Sequence, residues 1–435
     1  MHIAVIGTGY IGLVTGTCFA EFGVEVTCID VDESKIEMLK SGNIPIYEPG
    51  LEDMVHRNMK AGRLEFTTDT KEGVQNALVV FIGVGTPSRE DGSHDMTYVE
   101  QAARSIGEAI NGYKVIVMKS TVPVGTGVWL KEILCEYVSP DLFDIASNPE
   151  FLREGQAIGD SMRPDRVVIG TDSEKAKDIL RDLYRPLYLI ETPFVFTNLA
   201  TSELIKYASN AFLSTKISFI NEMANICEKI GGDVHMVAKA MGLDGRIGSK
   251  FLRAGVGYGG SCFPKDNSAL VHMAKELGTR ARIVEAVIDV NERQVYSGFE
   301  KVKKALGGSV EGKVIGCLGL AFKPETDDFR AAPSEIIINN VRKEGGTVRA
   351  YDPEGMTQAR QYLGDKGITY CGNAYDAIKG ADVMVIITEW NQFRLLNLSK
   401  CMELLKSPNL VDLRNVYEPD AARDLGFTYT SIGRV

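Results

Sequence analysis

Residues 255–266 (GVGYGGSCFPKD) hold the most concentrated set of side chains able to do chemistry. Cys262 follows four glycines, which allow tight turns and close approach of the backbone to a ligand. A lysine near a thiol can lower its pKa, and the thiolate is a nucleophile. Asp266 can orient a water molecule or a proton carrier. A glycine-rich turn around an inert buried cysteine fits the same letters, so this stretch alone leaves both interpretations open.

A second glycine-rich turn follows the first predicted strand. The apolar run His2–Ile6 leads into GTGYIG, with Gly7, Gly9 and Gly12, and then into a helical pattern. A second predicted strand, residues 24–29, ends at Asp30. This strand–turn–helix setting is typical of dinucleotide binding, with the pyrophosphate at the helix N-terminus and the acid on the ribose. Asp30 would repel a 2′-phosphate, which favours NAD over NADP.

Hydroxyl side chains follow two further predicted strands, residues 77–84 and 114–120. Thr86 and Thr121 come where the carboxyl ends of parallel strands gather ligands. Each also fits a turn hydroxyl that satisfies the backbone. A short strand is predicted at residues 145–147, and outer strands at residues 167–170 and 188–191.

Two pairs of polar residues are spaced four apart. Glu150 and Glu154 would share one face if their segment were helical, which suits either proton handling or a solvated helix end. Residues 198–230 are predicted to form one long helix, capped by Thr197 or Asn198 and ended by two glycines. On it, Lys206 and Asn210 share a face among apolar residues. A lysine there is either functional or extends its ammonium to solvent.

The last third of the chain resumes strand–helix alternation. Strands are predicted at residues 313–320, 348–351, 383–388 and 410–413. The sequence VRAYDPE (348–354) echoes VTCIDVD (26–32), but GCLGLAFK (316–323) lacks the third glycine of the dinucleotide fingerprint. We therefore expect a different nucleotide diphosphate there. The predicted fold class is α/β: two Rossmann-like, doubly wound parallel-sheet domains joined by a long central helix.

Bulk properties narrow the functional class. A chain of 435 residues with net charge −10 predicts two or three globular domains and gives no support for nucleic acid or an anionic membrane as a partner. The scattered cysteines, eight in number and without a CxxC pair, indicate reduced thiols in a cytoplasm. The five histidines lack ligand spacing, so no metal site is predicted. We expect neither a signal peptide nor a membrane span.

The motifs together resemble those of the UDP-glucose/GDP-mannose dehydrogenase family over the full length. The matching segments, in order, are GTGYIG, GVGTP, KSTVP, NPEFLREG, ELIKYASNAF, FLRAGVGYGGSCFPKD, AFKPETDDFR and AYDP. The resemblance implies a four-electron oxidation of a sugar C6 hydroxyl to a carboxylate with two NAD, through a thiohemiacetal and a thioester on the cysteine. Ser261 before that cysteine resembles the branch that acts on UDP-glucose rather than on N-acetylated sugars.

The resemblance also implies roles for single residues. Cys262 is the expected nucleophile, Lys206 with Asn210 stabilises the oxyanion, Asp266 organises water, Glu150 assists proton transfer, and Thr121 lies near that water. The implied cofactor positions are Gly7, Gly9, Tyr10, Ile11, Gly12, Asp30, Lys35, Thr86, Thr121, Glu154, Lys265 and Arg330. The implied substrate positions are Glu150, Phe151, Leu152, Arg153, Glu154, Lys206, Asn210, Arg246, Phe251, Leu252, Arg253, Ala254, Gly255, Gly259, Lys323 and Arg414.

Three domains are expected on this basis: residues 1–197 bind NAD, residues 198–305 form a helical dimerisation and active-site region, and residues 306–435 bind the UDP-sugar. Arg246 is expected to reach substrate across a homodimer or higher homo-oligomer. Two alternatives remain open: oxidation of GDP-mannose or another UDP-hexose, and a non-catalytic regulator that binds NAD and a UDP-sugar. The regulator predicts binding of both ligands without turnover.

Overall fold

Strands and helices alternate along residues 1–435 of the computed structural model, which separates into two units, Met1–Ser209 and Asn210–Val435. Each unit is built on its own sheet. The strand order is β3-β2-β1-β4-β5-β6-β7-β8 in the first and β11-β10-β9-β12-β13-β14 in the second. All pairings are parallel except that of β6 with β7. The predicted fold class of two doubly wound α/β sheets is confirmed.

The first sheet begins with its central strand. Successive residues of β1 point to opposite helix layers, Ile3 and Val5 to one core and Ala4 and Ile6 to the other. The strands are β1 His2–Ile6, β2 Glu25–Ile29, β3 Leu64–Thr67, β4 Val79–Ile82, β5 Lys114–Met118, β6 Phe143–Ser147, β7 Val167–Gly170 and β8 Phe194–Thr197. The helices are α1 Tyr10–Glu21, α2 Glu33–Lys40, α3 Leu51–Lys60, α4 Thr70–Asn76, α5 Thr97–Ala109, α6 Thr126–Cys135, α7 Ala157–Met162, α8 Glu174–Leu183 and α9 Arg185–Tyr188, with a 3₁₀ turn at Pro140–Leu142.

The second unit begins within the long helix α10, Leu199–Ile230, and packs its own two cores on the second sheet. Its other helices are α11 Val234–Gly242, α12 Phe263–Glu276, α13 Arg282–Ala305, α14 Pro333–Lys343, α15 Met356–Leu363, α16 Ala374–Ile378, α17 Asn391–Arg394, α18 Leu398–Leu404 and α19 Pro419–Asp424. Its strands are β9 Val314–Leu318, β10 Thr347–Tyr351, β11 Ile368–Tyr370, β12 Val383–Ile386, β13 Asn409–Asp412 and β14 Thr428–Ser431.

The long helix is confirmed with its predicted ends. Asn198 accepts a hydrogen bond from the Thr201 amide at 2.8 Å, so it is the N-terminal cap. The helix ends at Ile230, where Gly231 adopts a positive φ of 74°. No helix combines the length and the apolar character that crossing a membrane requires.

The outer strand predicted at residues 188–191 is wrong. Pro186 sits in the first turn of the short helix α9, and the strand of this region is β8, six residues further along. The apolar residues that suggested a strand lie on the surface, where Leu189 is 87% exposed. A short apolar run in the sequence therefore indicates a buried strand only where the rest of the fold covers it.

Candidate functional site

The first glycine-rich turn forms a cradle at the N-terminus of α1. Gly7 has a φ of 95°, and a Cβ on Gly12 would lie 1.8 Å from the Gly7 carbonyl oxygen, so both positions require glycine. A Cβ on Gly9 would meet nothing within 4 Å. No side chain caps α1, and no acidic residue lies in its first turn. These residues therefore fit the pyrophosphate of NAD at the helix N-terminus.

Asp30 lies beside this turn, at the end of β2. Its Oδ2 accepts hydrogen bonds from the amide and hydroxyl of Thr8, at 2.8 and 2.7 Å, and from Lys35 Nζ at 3.1 Å. Burial pushes the pKa of Asp30 upward, but the bonds from Thr8, Asp32 and Lys35 outweigh it and hold the pKa below its usual value. Asp30 is thus a carboxylate placed where a ribose hydroxyl can donate to it.

Two turns that follow neighbouring strands are joined by a hydrogen bond. Thr86, after β4, donates its hydroxyl to the Thr121 carbonyl, after β5, at 2.8 Å. The turn after β5 is also held by α10, because the Glu203 carboxylate accepts hydrogen bonds from the Gly125 and Gly127 amides at 2.6 and 2.8 Å. The structure therefore brings Thr86 and Thr121 together and fixes their turn with a buried acid.

Lys206 and Glu150 form a buried ion pair. Lys206 Nζ lies 2.7 Å from Glu150 Oε1 and donates to the Glu150 carbonyl at 2.8 Å, and each side chain is 4% exposed. The ammonium also lies 5.6 Å from the centre of the Phe151 ring. The alternative in which Lys206 extends to solvent is therefore wrong. A buried ammonium held beside a carboxylate can stabilise an oxyanion and exchange protons with its partner.

The segment that carries Glu150 is irregular. Residues 148–153 lie outside helices and strands, and Glu150 itself accepts a hydrogen bond from the Leu152 amide. Glu150 and Glu154 therefore do not share a helical face. Arg153 pairs with Asp160 at 2.6 Å.

A second cation, Lys119, lies in the same unit, directly after β5. Its Nζ donates to Asn148 Oδ1 at 2.9 Å, and Tyr184 OH donates to the same oxygen at 2.5 Å. Burial lowers the pKa of Lys119 to about 8, and the positive charge of Lys206 adds to this while Glu150 opposes it. The charge of Lys119 thus acts on the Lys206–Glu150 pair.

In the second unit, the cysteine stands at the N-terminus of α12. Cys262 is the residue before the first turn of this 14-residue helix, where the helix dipole favours a thiolate. Asp266, 2% exposed, lies one turn further along. Its carboxylate accepts from Asn210 Nδ2 at 2.6 Å and pairs with Lys265 Nζ at 2.8 Å. The structure thus brings Asn210 of α10 to Lys265 and Asp266, which lie on the helix that Cys262 begins.

A second loop packs against the two glycines before the cysteine. A Cβ on Gly259 would lie 2.1 Å from the Ala331 carbonyl oxygen, and one on Gly260 would meet the Phe322 ring at 2.7 Å. The Gly260 amide donates to the Arg330 carbonyl at 3.0 Å. The Arg330 side chain pairs with Asp328 at 2.8 Å. Lys323 Nζ lies 5.3 Å from the centre of the Phe322 ring.

The remaining implied substrate residues have different surroundings. Arg246 is 89% exposed and pairs with Asp244 on the same turn, and Arg253 is exposed. Leu252 and Ala254 are buried, and Phe251 adopts a positive φ of 65°. Arg414 donates to three backbone carbonyls, those of Ile387, Gly257 and Phe322.

Several residues around these sites were not predicted. Thr8 is the residue between the first two glycines, and Lys119, Asn148 and Glu203 begin three of the quoted motifs, so the sequence carried a signal for these four. Asn221, Asn291 and Gln294 had none, because a polar residue on a helix is ordinarily a solvated one.

Comparison with known families and proteins gives one consistent result. Residues 1–188, 200–293 and 316–419 match the NAD binding, central and UDP binding domains of the UDP-glucose/GDP-mannose dehydrogenase family. The chain is 52% identical to a UDP-glucose 6-dehydrogenase of Rhizobium meliloti, covering 100% of both chains. It is 50% identical to UDP-glucose 6-dehydrogenase TuaD of Bacillus subtilis, covering 99% of this chain and 93% of that one.

Solved structures agree in fold. A UDP-glucose dehydrogenase from Pyrobaculum islandicum matches with a TM-score of 0.93 at 38% identity, covering 100% of this chain and 98% of the other. A GDP-mannose dehydrogenase from Pseudomonas aeruginosa matches with a TM-score of 0.54 at 30% identity, covering 99% of both chains.

Proposed function

The chain belongs to the UDP-glucose/GDP-mannose dehydrogenase family, and we propose that it oxidises the C6 hydroxyl of UDP-glucose to a carboxylate in two successive steps. It is an NAD-dependent oxidoreductase. Relatives named for UDP-glucose, 52% and 50% identical over nearly the full length, support this substrate over GDP-mannose. The single observation that carries the proposed mechanism is Cys262 at the start of α12, with Asp266, Asn210 and Lys265 joined one turn away.

NAD is held by the first unit in this proposal. The turn at Gly7, Gly9 and Gly12 receives the pyrophosphate, and Asp30 accepts from a ribose hydroxyl. When bound there, NAD would supply the hydride acceptor that each of the two oxidations needs. We assign residues 1–197 to this role, residues 198–305 to the active-site region and residues 306–435 to the UDP-sugar.

The covalent steps centre on the sulfur of Cys262. Loss of the hydroxyl proton and of one hydride from C6 gives the aldehyde. The thiolate then forms a C–S bond to that carbon, and the oxygen takes up a proton. Loss of that proton and of a second hydride leaves a thioester. Water adds to the thioester, the C–S bond breaks, and the carboxylate leaves with the thiol restored.

The buried polar groups are proposed to handle charge and protons in these steps. The ammonium of Lys206 stabilises negative charge that develops on the C6 oxygen, and Glu150 takes up the released proton. Asp266, held by Asn210, orients the water that cleaves the thioester. Thr121 lies next to that water. The other residues implied by the resemblance remain proposals for cofactor or substrate binding.

We also propose a homodimer in the cytoplasm. Five large apolar residues of α10 are exposed along the helix: Leu204 at 44%, Phe212 at 65%, Phe219 at 42%, Ile226 at 50% and Ile230 at 73%. Such a stripe on one helix favours a protein partner. Eight cysteines without a disulfide fit a reducing compartment. Sedimentation equilibrium should give twice the 47.6 kDa chain mass, and a 47.6 kDa species would contradict the dimer.

The reaction is tested by the NADH formed per sugar consumed. The purified protein is supplied with UDP-glucose, UDP-galactose, UDP-N-acetylglucosamine or GDP-mannose. We expect two NADH per UDP-glucose and little from the others. One NADH per sugar would exclude the thioester route, turnover of another sugar would move the substrate assignment, and binding without turnover would support the regulator.

The thiol itself is tested with Cys262→Ser. We expect the second oxidation to be lost far more than the first, because serine cannot supply the thiolate that captures the aldehyde. Cys135→Ser is the matched control, since Cys135 is an exposed thiol on α6. A Cys262→Ser enzyme that still forms two NADH per sugar at the unaltered rate would contradict the mechanism.

A further inference from the structure

The loop that leads to the cysteine is buried although it has no regular structure. Residues 252–260 lie outside helices and strands, yet Gly255, Val256 and Tyr258 are all buried, Val256 completely. Buried backbone groups need hydrogen-bond partners, and a helix or a strand ordinarily supplies them. In this loop the Gly260 amide donates to the Arg330 carbonyl, and several of the other partners are side chains.

Three buried amide side chains supply four of these hydrogen bonds. Asn221 Oδ1 accepts from the Gly255 amide at 2.9 Å, and Gln294 Nε2 donates to the Gly255 carbonyl at 2.7 Å. Asn291 holds both backbone groups of Tyr258, accepting from its amide at 2.8 Å and donating to its carbonyl at 3.0 Å. We call Asn221, Asn291 and Gln294 the amide clamp.

The clamp leaves the loop little freedom to move. Asn221, Gln294 and Asn291 are 0%, 1% and 9% exposed, so water does not compete for their hydrogen bonds. Gly257, between the two anchor points, has a φ of 99°, and a Cβ there would lie 2.8 Å from Asn291 Oδ1. The amide and the loop therefore fit only in this arrangement.

The clamp favours position over stability. Asn221 Nδ2 is buried without a hydrogen-bond partner in the chain, which ordinarily lowers the stability of the folded state. An apolar residue would avoid that cost but would leave the Gly255 amide unpaired. The arrangement retains the hydrogen bond that satisfies the Gly255 amide.

We propose that Asn221, Asn291 and Gln294 are positioning residues that set the place of the Cys262 sulfur for attack on the aldehyde. Only three residues separate Tyr258 from Cys262, and Gly259 and Gly260 are packed against Ala331 and Phe322. A shift at Tyr258 is therefore passed along the chain to the thiol. The inference rests on the proposed function, in which a displacement of about 1 Å costs on the order of 100-fold in rate.

The test compares single clamp variants with a neighbouring control. Gln294→Glu keeps the acceptor for Asn225 but removes the donor to Gly255, and Asn291→Asp keeps the acceptor for Tyr258 but removes the donor. Arg293→Ala is the control, because Arg293 is 78% exposed and pairs only with Asp289. Turnover is measured together with iodoacetamide alkylation of Cys262, quantified by peptide mass against the exposed Cys135 in the same molecule.

For both clamp variants we expect kcat to fall at least about tenfold, and the ratio of Cys262 to Cys135 alkylation to change at least about threefold. Arg293→Ala should leave both quantities unchanged. Variants that only lower the unfolding temperature, with kcat per folded molecule and the alkylation ratio as in the unmodified chain, would overturn the proposal. If the unmodified chain shows no turnover, the proposed function fails, and the alkylation ratio alone still decides whether the clamp positions the thiol.

Discussion

Asp30 and Asp352 stand at the same place in the two sheets but have different partners. Each follows the strand next to the first strand of its sheet, and each sheet has the order 3-2-1-4-5-6 counted from its own first strand. The turns begin alike, since Gly7 donates to the Ile29 carbonyl at 2.7 Å and Gly319 to the Tyr351 carbonyl at 2.9 Å. The difference between the units arises after these glycines.

In the first unit the helix starts three residues after Gly7, and Asp30 stays beside an open cradle. In the second unit, residues 320–332 lie between Gly319 and the helix α14, and Asp352 accepts hydrogen bonds from the start of this loop. It is 1% exposed and accepts from the Leu320, Ala321, Glu354 and Gly355 amides and from the Trp390 indole. The same strand order thus serves a cofactor in one unit, while in the other its acid is a structural anchor.

The cations after the equivalent strands β5 and β13 differ in a similar way. Lys119 contacts side chains beside the charged pair of the first unit, whereas Arg414 pairs with Glu389 at 3.2 Å and donates to three backbone carbonyls. Chemistry therefore follows from the loops after the strands and not from the sheet.

The largest effect is expected from Lys206, the cation of the buried ion pair in the first unit. Lys206→Ala should lower kcat about 100- to 1,000-fold, because the oxyanion loses its cation. It should also cost about 3–5 kcal/mol in the free energy of unfolding, because Glu150 is left buried and unpaired. The double variant Lys206→Met with Glu150→Gln should regain stability but not turnover. An effect confined to KM would contradict the role.

Asp352→Ala should affect stability more than Asp30→Ala. It leaves five donors without their acceptor, four of them backbone amides, and we expect a loss of about 3–5 kcal/mol in the free energy of unfolding by urea. Asp30→Ala is the matched control in the other sheet. Equal losses for the two variants would break the distinction between anchor and cofactor ligand.

Comparison with Lys119→Met should show that the buried ammonium of Lys119 lowers the free energy of unfolding by an amount that depends on pH. Folding lowers the pKa of Lys119 from 10.5 to about 8, so the unfolded chain binds the extra proton between these values and wild-type stability rises with pH across them. Relative to Lys119→Met, the free energy of unfolding of the unmodified protein should therefore rise by up to about 3 kcal/mol between pH 7 and pH 10.5. Arg414→Met is the control, since arginine stays protonated in this range. A constant difference for Lys119→Met would refute the buried charge.

Asp30→Ala should have the smallest effect and act on the cofactor. We expect NAD to bind about 10- to 30-fold more weakly, or about 1.4–2 kcal/mol, because a charged hydrogen bond to the ribose is lost. Discrimination against NADP should also relax, which titrations with both cofactors measure. An unaltered preference would refute the ribose contact.

The periodic parts of the fold were predictable and its edges were not. Central strands such as His2–Ile6 and the helix Leu199–Ile230 carry long patterns. The strands Leu64–Thr67, Ile368–Tyr370 and Thr428–Ser431 were missed, because each lies at or near a sheet edge and is three or four residues long.

The main residues of the candidate site were predictable from the sequence, but their contacts were not. Motif spacing and family resemblance singled out Cys262, Lys206 and Asp266. The sequence left open whether Lys206 was buried, since only folding places Glu150 beside it. The amide clamp could not be predicted, because its contacts join residues 33 to 39 positions apart.

The contact of Arg414 with Gly257 can form only late during translation, because the two residues are far apart in the sequence. These residues are 157 positions apart, whereas Lys206 and Glu150 are 56 apart and both lie in the first unit. At about 5–20 residues per second, Arg414 is made on the order of ten seconds or more after Gly257. The charged pair can thus form while the chain is still growing. The loop before Cys262 gains its contact with Arg414 only near the end of translation. Until then the growing chain lacks part of the packing around this loop.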